Sequence, residues 1–166
     1  GVGIPKTVDN DLFGTDHTPG FASAAWSNIL NVRQAGTLAR DMMKVDQFVV
    51  YQTIGRDAGW LAAATALARR DEDEAPHLIY TPEHPFIREK FLADADHCIR
   101  RYGWVFVVAG EGIKYEDGTP VSASVVKDKF SNTEFGAMGG ASVAITLHRM
   151  LSSEFGIRGE FQVPES

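Results

Sequence analysis

Trp104-Val105-Phe106-Val107-Val108-Ala109 is an unbroken apolar run. It is too short for a buried helix and lacks the alternation of a strand with one wet face, so it predicts a strand covered by protein on both sides. Such a strand needs helices above and below it, and the rest of the chain has the pattern to supply them. Gln47–Thr53, β-branched and aromatic, reads as another buried strand, followed through a turn by an alanine-rich helix from Trp60 to about Arg70. His77–Thr81 is a further strand, stopped by Pro82 to Pro85; Phe86 to Arg101 is helical, with Phe91, Leu92, Ala95 and Ile99 on one face. Ahead of these, apolar residues between Phe21 and Ala39 recur at spacings of three and four. They mark a helix reaching roughly to Met43, with Thr18 as its cap and Pro19 near its first turn. Gly139 to Ser153 forms a last helix, and Ile157–Val163 a last strand. Strands alternating with helices predict an α/β protein, a Rossmann-like three-layer α/β/α arrangement around a parallel sheet with right-handed crossovers.

Composition narrows the partners. At 166 residues the chain is long enough for one core, and nothing divides it into two independent domains. A net charge of −6 without a basic cluster argues against nucleic acid. Cys98 is the only cysteine, which excludes an internal disulfide and suits a reducing, cytoplasmic setting. No run of about 18 apolar residues and no signal-peptide pattern occurs, so neither a membrane span nor secretion is expected. The first residues already lie inside a motif and the last stop without a helix or tail, so residues 1–166 read as an excised part of a longer protein.

Three polar clusters follow predicted strands. Lys6-Thr7-Val8-Asp9-Asn10-Asp11 comes after a short apolar segment that runs into Pro5, Ile54-Gly55-Arg56 follows Gln47–Thr53, and Glu111, between Gly110 and Gly112, follows the Trp104–Ala109 run. In open parallel sheets ligands sit outside the carboxyl ends of the strands, so the three clusters are expected on one rim. The residue types there suit phosphoryl transfer to a hydroxyl. An ionised Asp9 can take the proton of the attacking hydroxyl, while Lys6 offsets negative charge on a phosphate donor. Asp11 can hold or orient a hydrated Mg²⁺, which often takes only one or two carboxylates from the protein. Arg56 falls near the N-terminus of the Trp60 helix, where free amides and the helix dipole favour an anion, so a sugar phosphate or diphosphate is the expected guest. Glu111 can accept hydrogen bonds from sugar hydroxyls, and its flanking glycines allow close backbone approach. Plainer readings stand beside these. Val-Asp-Asn-Asp is also a turn sequence, Gly55-Arg56 a strand-ending turn with a surface arginine, and Gly110–Gly112 a glycine-bracketed turn.

The passage Pro5-Lys6-Thr7-Val8-Asp9-Asn10-Asp11, continued by Gly14-Thr15-Asp16-His17-Thr18-Pro19-Gly20-Phe21, closely resembles the substrate and catalytic segment of the phosphofructokinases. Ile54-Gly55-Arg56 with Gly59 resembles the family's hydrophobic-Gly-Arg-x-x-Gly motif, with Ile54 in place of the usual Met. The resemblance implies a phosphofructokinase-type sheet and gives the residues roles. Asp9 is the proton acceptor. Thr7, Val8, Asp9, Ile54, Gly55, Arg56 and Glu111 bind the sugar phosphate. Lys6, where most ATP users have glycine, marks the pyrophosphate-dependent branch. The implied reaction moves a phosphoryl group from pyrophosphate to the 1-hydroxyl of fructose 6-phosphate with Mg²⁺, in a homo-oligomer, a dimer when complete. A donor-binding segment upstream and the remainder of the sugar-phosphate domain downstream are then outside residues 1–166.

Two departures concern anion-clamping residues. Gln47 stands where many ATP-dependent members have an arginine, and Gly159-Glu160-Phe161-Gln162 stands in the late strand where they have His-Ile-Gln-Arg-Gly-Gly; Arg158 is a candidate phosphate contact in its place. Three alternatives stay open: an ATP-dependent phosphofructokinase, a dehalogenase-type phosphatase using Asp9 as nucleophile, and a non-catalytic sugar-phosphate-binding module.

Other polar residues carry less. His17 reads as a turn or capping residue, and His77, His84 and His97 are scattered without metal spacing. Cys98 reads as a small packing residue, and Asp71–Glu74 as a solvated bend. Tyr115–Pro120 is a turn, Ser122–Asn132 a polar excursion, and Phe135–Gly140 a glycine-rich helix entry without the ending of a phosphate loop.

Overall fold

The structure is a computed structural model and describes residues 1–123 and 142–164. Helix α1 (Phe21–Met42) leads into strand β1 (Phe48–Thr53), then α2 (Trp60–Ala64), β2 (Leu78–Tyr80), α3 (Arg88–Tyr102), β3 (Val105–Gly110), α4 (Val143–Phe155) and β4 (Gly159–Gln162). The four strands form one sheet in the order β2-β3-β1-β4, and every pairing is parallel.

The apolar run in β3 is buried along its whole length, and its alternate side chains feed two separate cores. Val105, Val107 and Ala109 join Phe48 and Val50 of β1 against Phe91, Leu92 and Ala95 of α3 and Val143, Leu147 and Leu151 of α4. Phe106 and Val108 point the other way, with Val49 and Tyr51, onto Ile29 and Val32 of α1 and Ala62 of α2. These are the three expected layers. Each buried Val, Leu or Phe contributes about 1.5–3 kcal/mol, and the two central strands carry them at Phe48, Val49, Val50, Val105, Phe106, Val107 and Val108. Cys98 is buried, as a packing residue would be, and burial raises its thiol pKa.

Four local expectations change. The segment before Lys6 is not a strand: Val2 and Ile4 are exposed, and β1 and β3 already have a partner on each side. The alanine-rich helix is α-helical only to Ala64 and tightens into a 3-10 turn over Thr65–Ala68, where the Thr65 hydroxyl bonds back to the Ala62 carbonyl at 2.6 Å. Thr18 does not cap α1 through its side chain; Gly20, with φ of 90°, occupies the N-cap. The last helix begins at Val143, where the Ser142 hydroxyl accepts the Ile145 N–H at 3.2 Å. The expected excursion lies outside the described residues beyond Ala123, as does the glycine-rich stretch Phe135–Gly140.

Candidate functional site

Parallel pairing decides what meets at the carboxyl rim. Thr53 and Gly110 are register partners at the ends of β1 and β3, so Ile54-Gly55-Arg56 and Glu111 leave the sheet side by side. The Glu111 N–H donates to the Thr53 carbonyl at 2.9 Å. Its side chain then turns across to β1's exit: one carboxylate oxygen, Oε1, accepts the N–H of Gly55 at 3.1 Å and that of Arg56 at 2.9 Å. Both donors sit in left-handed backbone, Gly55 at φ 139° and Arg56 at φ 51°. A side chain at Gly112 would have no room, because an added Cβ would lie 1.8 Å from the Arg56 carbonyl oxygen.

The opening motif folds over this turn. Asp9 Oδ2 lies 3.9 Å from Arg56 Nε, with the Asp9 side chain 13% exposed and that of Arg56 80%. The Asp9 N–H donates to the Thr7 hydroxyl oxygen at 3.1 Å. Between the two aspartates, Asn10 is buried at φ 57°. Its Oδ1 accepts the Thr18 N–H at 2.9 Å and its Nδ2 donates to the Asp16 carbonyl at 3.3 Å, which pins the loop ahead of α1. Val8 is half-buried, its Cγ1 lying 3.1 Å from where a Cβ on Gly20 would stand. Ile54 is half-buried, whereas Lys6 and Asp11 are exposed. A cleft of about 460 Å³ opens beside Asp11, bordered by Asp16, Phe13 and Trp60.

Arg158 is not part of this group. Gly159 pairs with Phe48 at the start of β1, so the residue before it lies at the amino end of the sheet, where Arg158 Nε stands 3.7 Å from Asp46 Oδ1. The N-terminus of α2 also differs from expectation. Its Gly59 N–H is taken at 2.6 Å by Glu83 Oε1 from the proline-bracketed loop after β2, so the anion there belongs to the chain itself. Burial acts to raise the Glu83 carboxyl pKa, but the Gly59 N–H and its other hydrogen bonds outweigh that and hold it below the usual value.

Sequence reading missed three contributors. Asn10 was legible in principle, since an Asn between two Asp residues tolerates the left-handed region. Glu83 was not, because only the fold brings it to Gly59. Nor was Lys114, which pairs with Asp57 at 2.7 Å on the flank of the Arg56 turn. His77, by contrast, is a packing residue: it stacks on Tyr102, and its Nδ1 accepts the Phe106 N–H at 2.8 Å. His17 meets the edge of Phe21 at 5.5 Å.

Among the described residues, no group of three His, Cys, Asp or Glu side chains is clustered to hold a metal, and no helix is long and apolar enough to cross a membrane. Asp11 is one hard oxygen donor facing open space, which fits the way Mg²⁺ is held between a carboxylate or two and a phosphate.

A doubly covered parallel sheet with charged loops at its carboxyl rim defines an α/β protein of the class that binds ligands at strand ends. The Phosphofructokinase family model matches residues 1–159, and the chain belongs to that family. It is 39% identical over 166 residues to the pyrophosphate–fructose 6-phosphate 1-phosphotransferase of Xanthomonas campestris pv. campestris, covering 99% of this chain and 38% of that one. It is 36% identical over 165 residues to the protein of the same name from Halomonas elongata, with 99% and 38% covered. Among solved structures, a pyrophosphate-dependent phosphofructokinase from Marinobacter aquaeolei superposes with a TM-score of 0.78 at 37% identity, over 96% of this chain and 35% of that one. The chain thus spans little more than a third of the length of these relatives.

Proposed function

We propose that this chain is the central part of a pyrophosphate-dependent phosphofructokinase, which transfers a phosphoryl group from pyrophosphate to the 1-hydroxyl of fructose 6-phosphate and releases phosphate. The observation that carries the reading is Asp9 beside Arg56 at 3.9 Å, a carboxylate and a guanidinium sharing one open rim. The relatives' names support the choice of donor and sugar.

In this reading Asp9 accepts the proton of the sugar hydroxyl as the new P–O bond forms and the bond within pyrophosphate breaks. Its small exposure keeps bulk water from competing for that role. Lys6, an ammonium on an exposed stem, offsets the charge of the donor, and Arg56 with Thr7, Val8, Ile54 and Gly55 receives the sugar phosphate, bordered by Glu111. Asp11 would hold Mg²⁺, which neutralises charge on pyrophosphate. The complete protein would act as a homo-oligomer, a dimer.

The test is a donor comparison on the full-length protein. Fructose 6-phosphate consumption with pyrophosphate and not with ATP is expected; turnover with ATP alone overturns the donor assignment, and turnover with neither overturns the reading.

A further inference from the structure

A guanidinium can serve a phosphate only if its backbone aims it, and Arg56 has a backbone that does not hold itself. At φ 51° it occupies the left-handed region, where a side chain crowds the backbone and few residues other than glycine settle. Something must keep it there. Two contacts from the exit of β3 do so. Glu111 Oε1 gathers the N–H groups of Gly55 and Arg56, at 3.1 and 2.9 Å, onto a single oxygen. Charge-assisted bonds of this kind are about twice as strong as neutral ones. From below, the chain at Gly112 lies so close to the Arg56 carbonyl that only a residue without a side chain fits.

We infer that Glu111 is the positioning residue of Arg56: with Gly112 it moulds the Gly55–Arg56 turn so that the guanidinium stands beside Asp9. This goes beyond a direct sugar contact, since Glu111 acts through another side chain. The inference rests on the phosphotransferase reading of the site.

A double-mutant cycle on the full-length protein tests it, with KM for fructose 6-phosphate as the readout. Arg56→Ala is expected to raise KM roughly 10- to 100-fold, the loss of a charged hydrogen bond to phosphate. Glu111→Ala is expected to raise KM about tenfold with a smaller change in kcat, because the guanidinium is misdirected while Asp9 remains. Combined, the two changes should cost no more than Arg56→Ala alone. A double variant whose KM rises by the product of the single effects overturns the inference and leaves the site reading standing. An Arg56→Ala enzyme with wild-type KM overturns both. Thermal unfolding checks that Glu111→Ala folds; if it does not, Glu111→Gln, which keeps the shape and an acceptor oxygen but loses the charge, enters the same cycle with a smaller KM rise expected, again none on the Arg56→Ala background, and the same refuting outcome.

Discussion

Asp9 and Arg56 meet at 3.9 Å although one belongs to an irregular loop ahead of the first helix and the other to a turn beyond the first strand. The contact is close enough for attraction and too long for a tight ion pair, so neither group is consumed by the other.

The first prediction follows from that spacing. Asp9→Asn in the full-length protein keeps the shape and removes the proton acceptor, so kcat should fall roughly 10²- to 10⁴-fold with little change in KM. Steady-state kinetics check this, and a variant with wild-type kcat removes Asp9 from the role.

In the proposed function Lys6 serves the donor rather than the sugar. Lys6→Gly should lower kcat/KM for pyrophosphate by roughly 100-fold, the scale of losing one positioned charge at a transferring phosphoryl group. KM for fructose 6-phosphate should hardly move. Equal losses for both substrates would mean that the ammonium does not belong to the donor.

Asn10 gives a stability prediction. Asn10→Ala leaves the buried Thr18 N–H without its acceptor and puts an ordinary residue at φ 57°, a combined cost of about 2–4 kcal/mol. Asn10→Gly tolerates the backbone angle and should cost less. Thermal unfolding of the two variants separates the contributions, and an alanine variant as stable as wild type would show that the loop is held by something else.

His77 makes stability depend on pH. Burial lowers its pKa from the ordinary 6.5 to about 4, and the Arg69 charge adds to this while the hydrogen bond to the Asp73 carbonyl opposes it. At higher pH the ring is neutral in both folded and unfolded chains. Between 6.5 and about 4 the unfolded chain binds a proton that the folded one refuses, so stability falls as pH falls, by on the order of 3 kcal/mol in all. Urea midpoints measured from neutral pH downward should drop less steeply in His77→Gln. Parallel curves for the two proteins would exclude this ring as a source of the slope.

How much of this was legible depended on whether the determining forces were local. β1 and β3 could be read because strands covered on both faces must be apolar throughout, and their loops could be assigned to one rim because parallel strands end together. That reasoning brought Arg56 and Glu111 together without coordinates. It was not what suggested Arg158, which came only from the resemblance as a substitute for a late-strand arginine and which precedes β4, at the amino end of the sheet. It failed for the anion at α2, because Glu83 reaches Gly59 from a loop that no local pattern connects to it. The exposed segment around Val2 and Ile4 shows the same limit: an apolar stretch becomes a strand only where the fold lays it along a sheet edge, and this one joins none of the four strands.

The matched ends of β1 and β3 at Thr53 and Gly110 work as a caliper. Each residue along a strand advances about 3.3 Å. Inserting or deleting one residue in either strand would therefore carry one jaw past the other by more than the reach of a hydrogen bond, stranding Glu111 opposite the wrong peptide. Extra length in surface loops leaves that gauge untouched. Variation in a lineage of such proteins should accordingly gather in the loops and spare the length of these two strands.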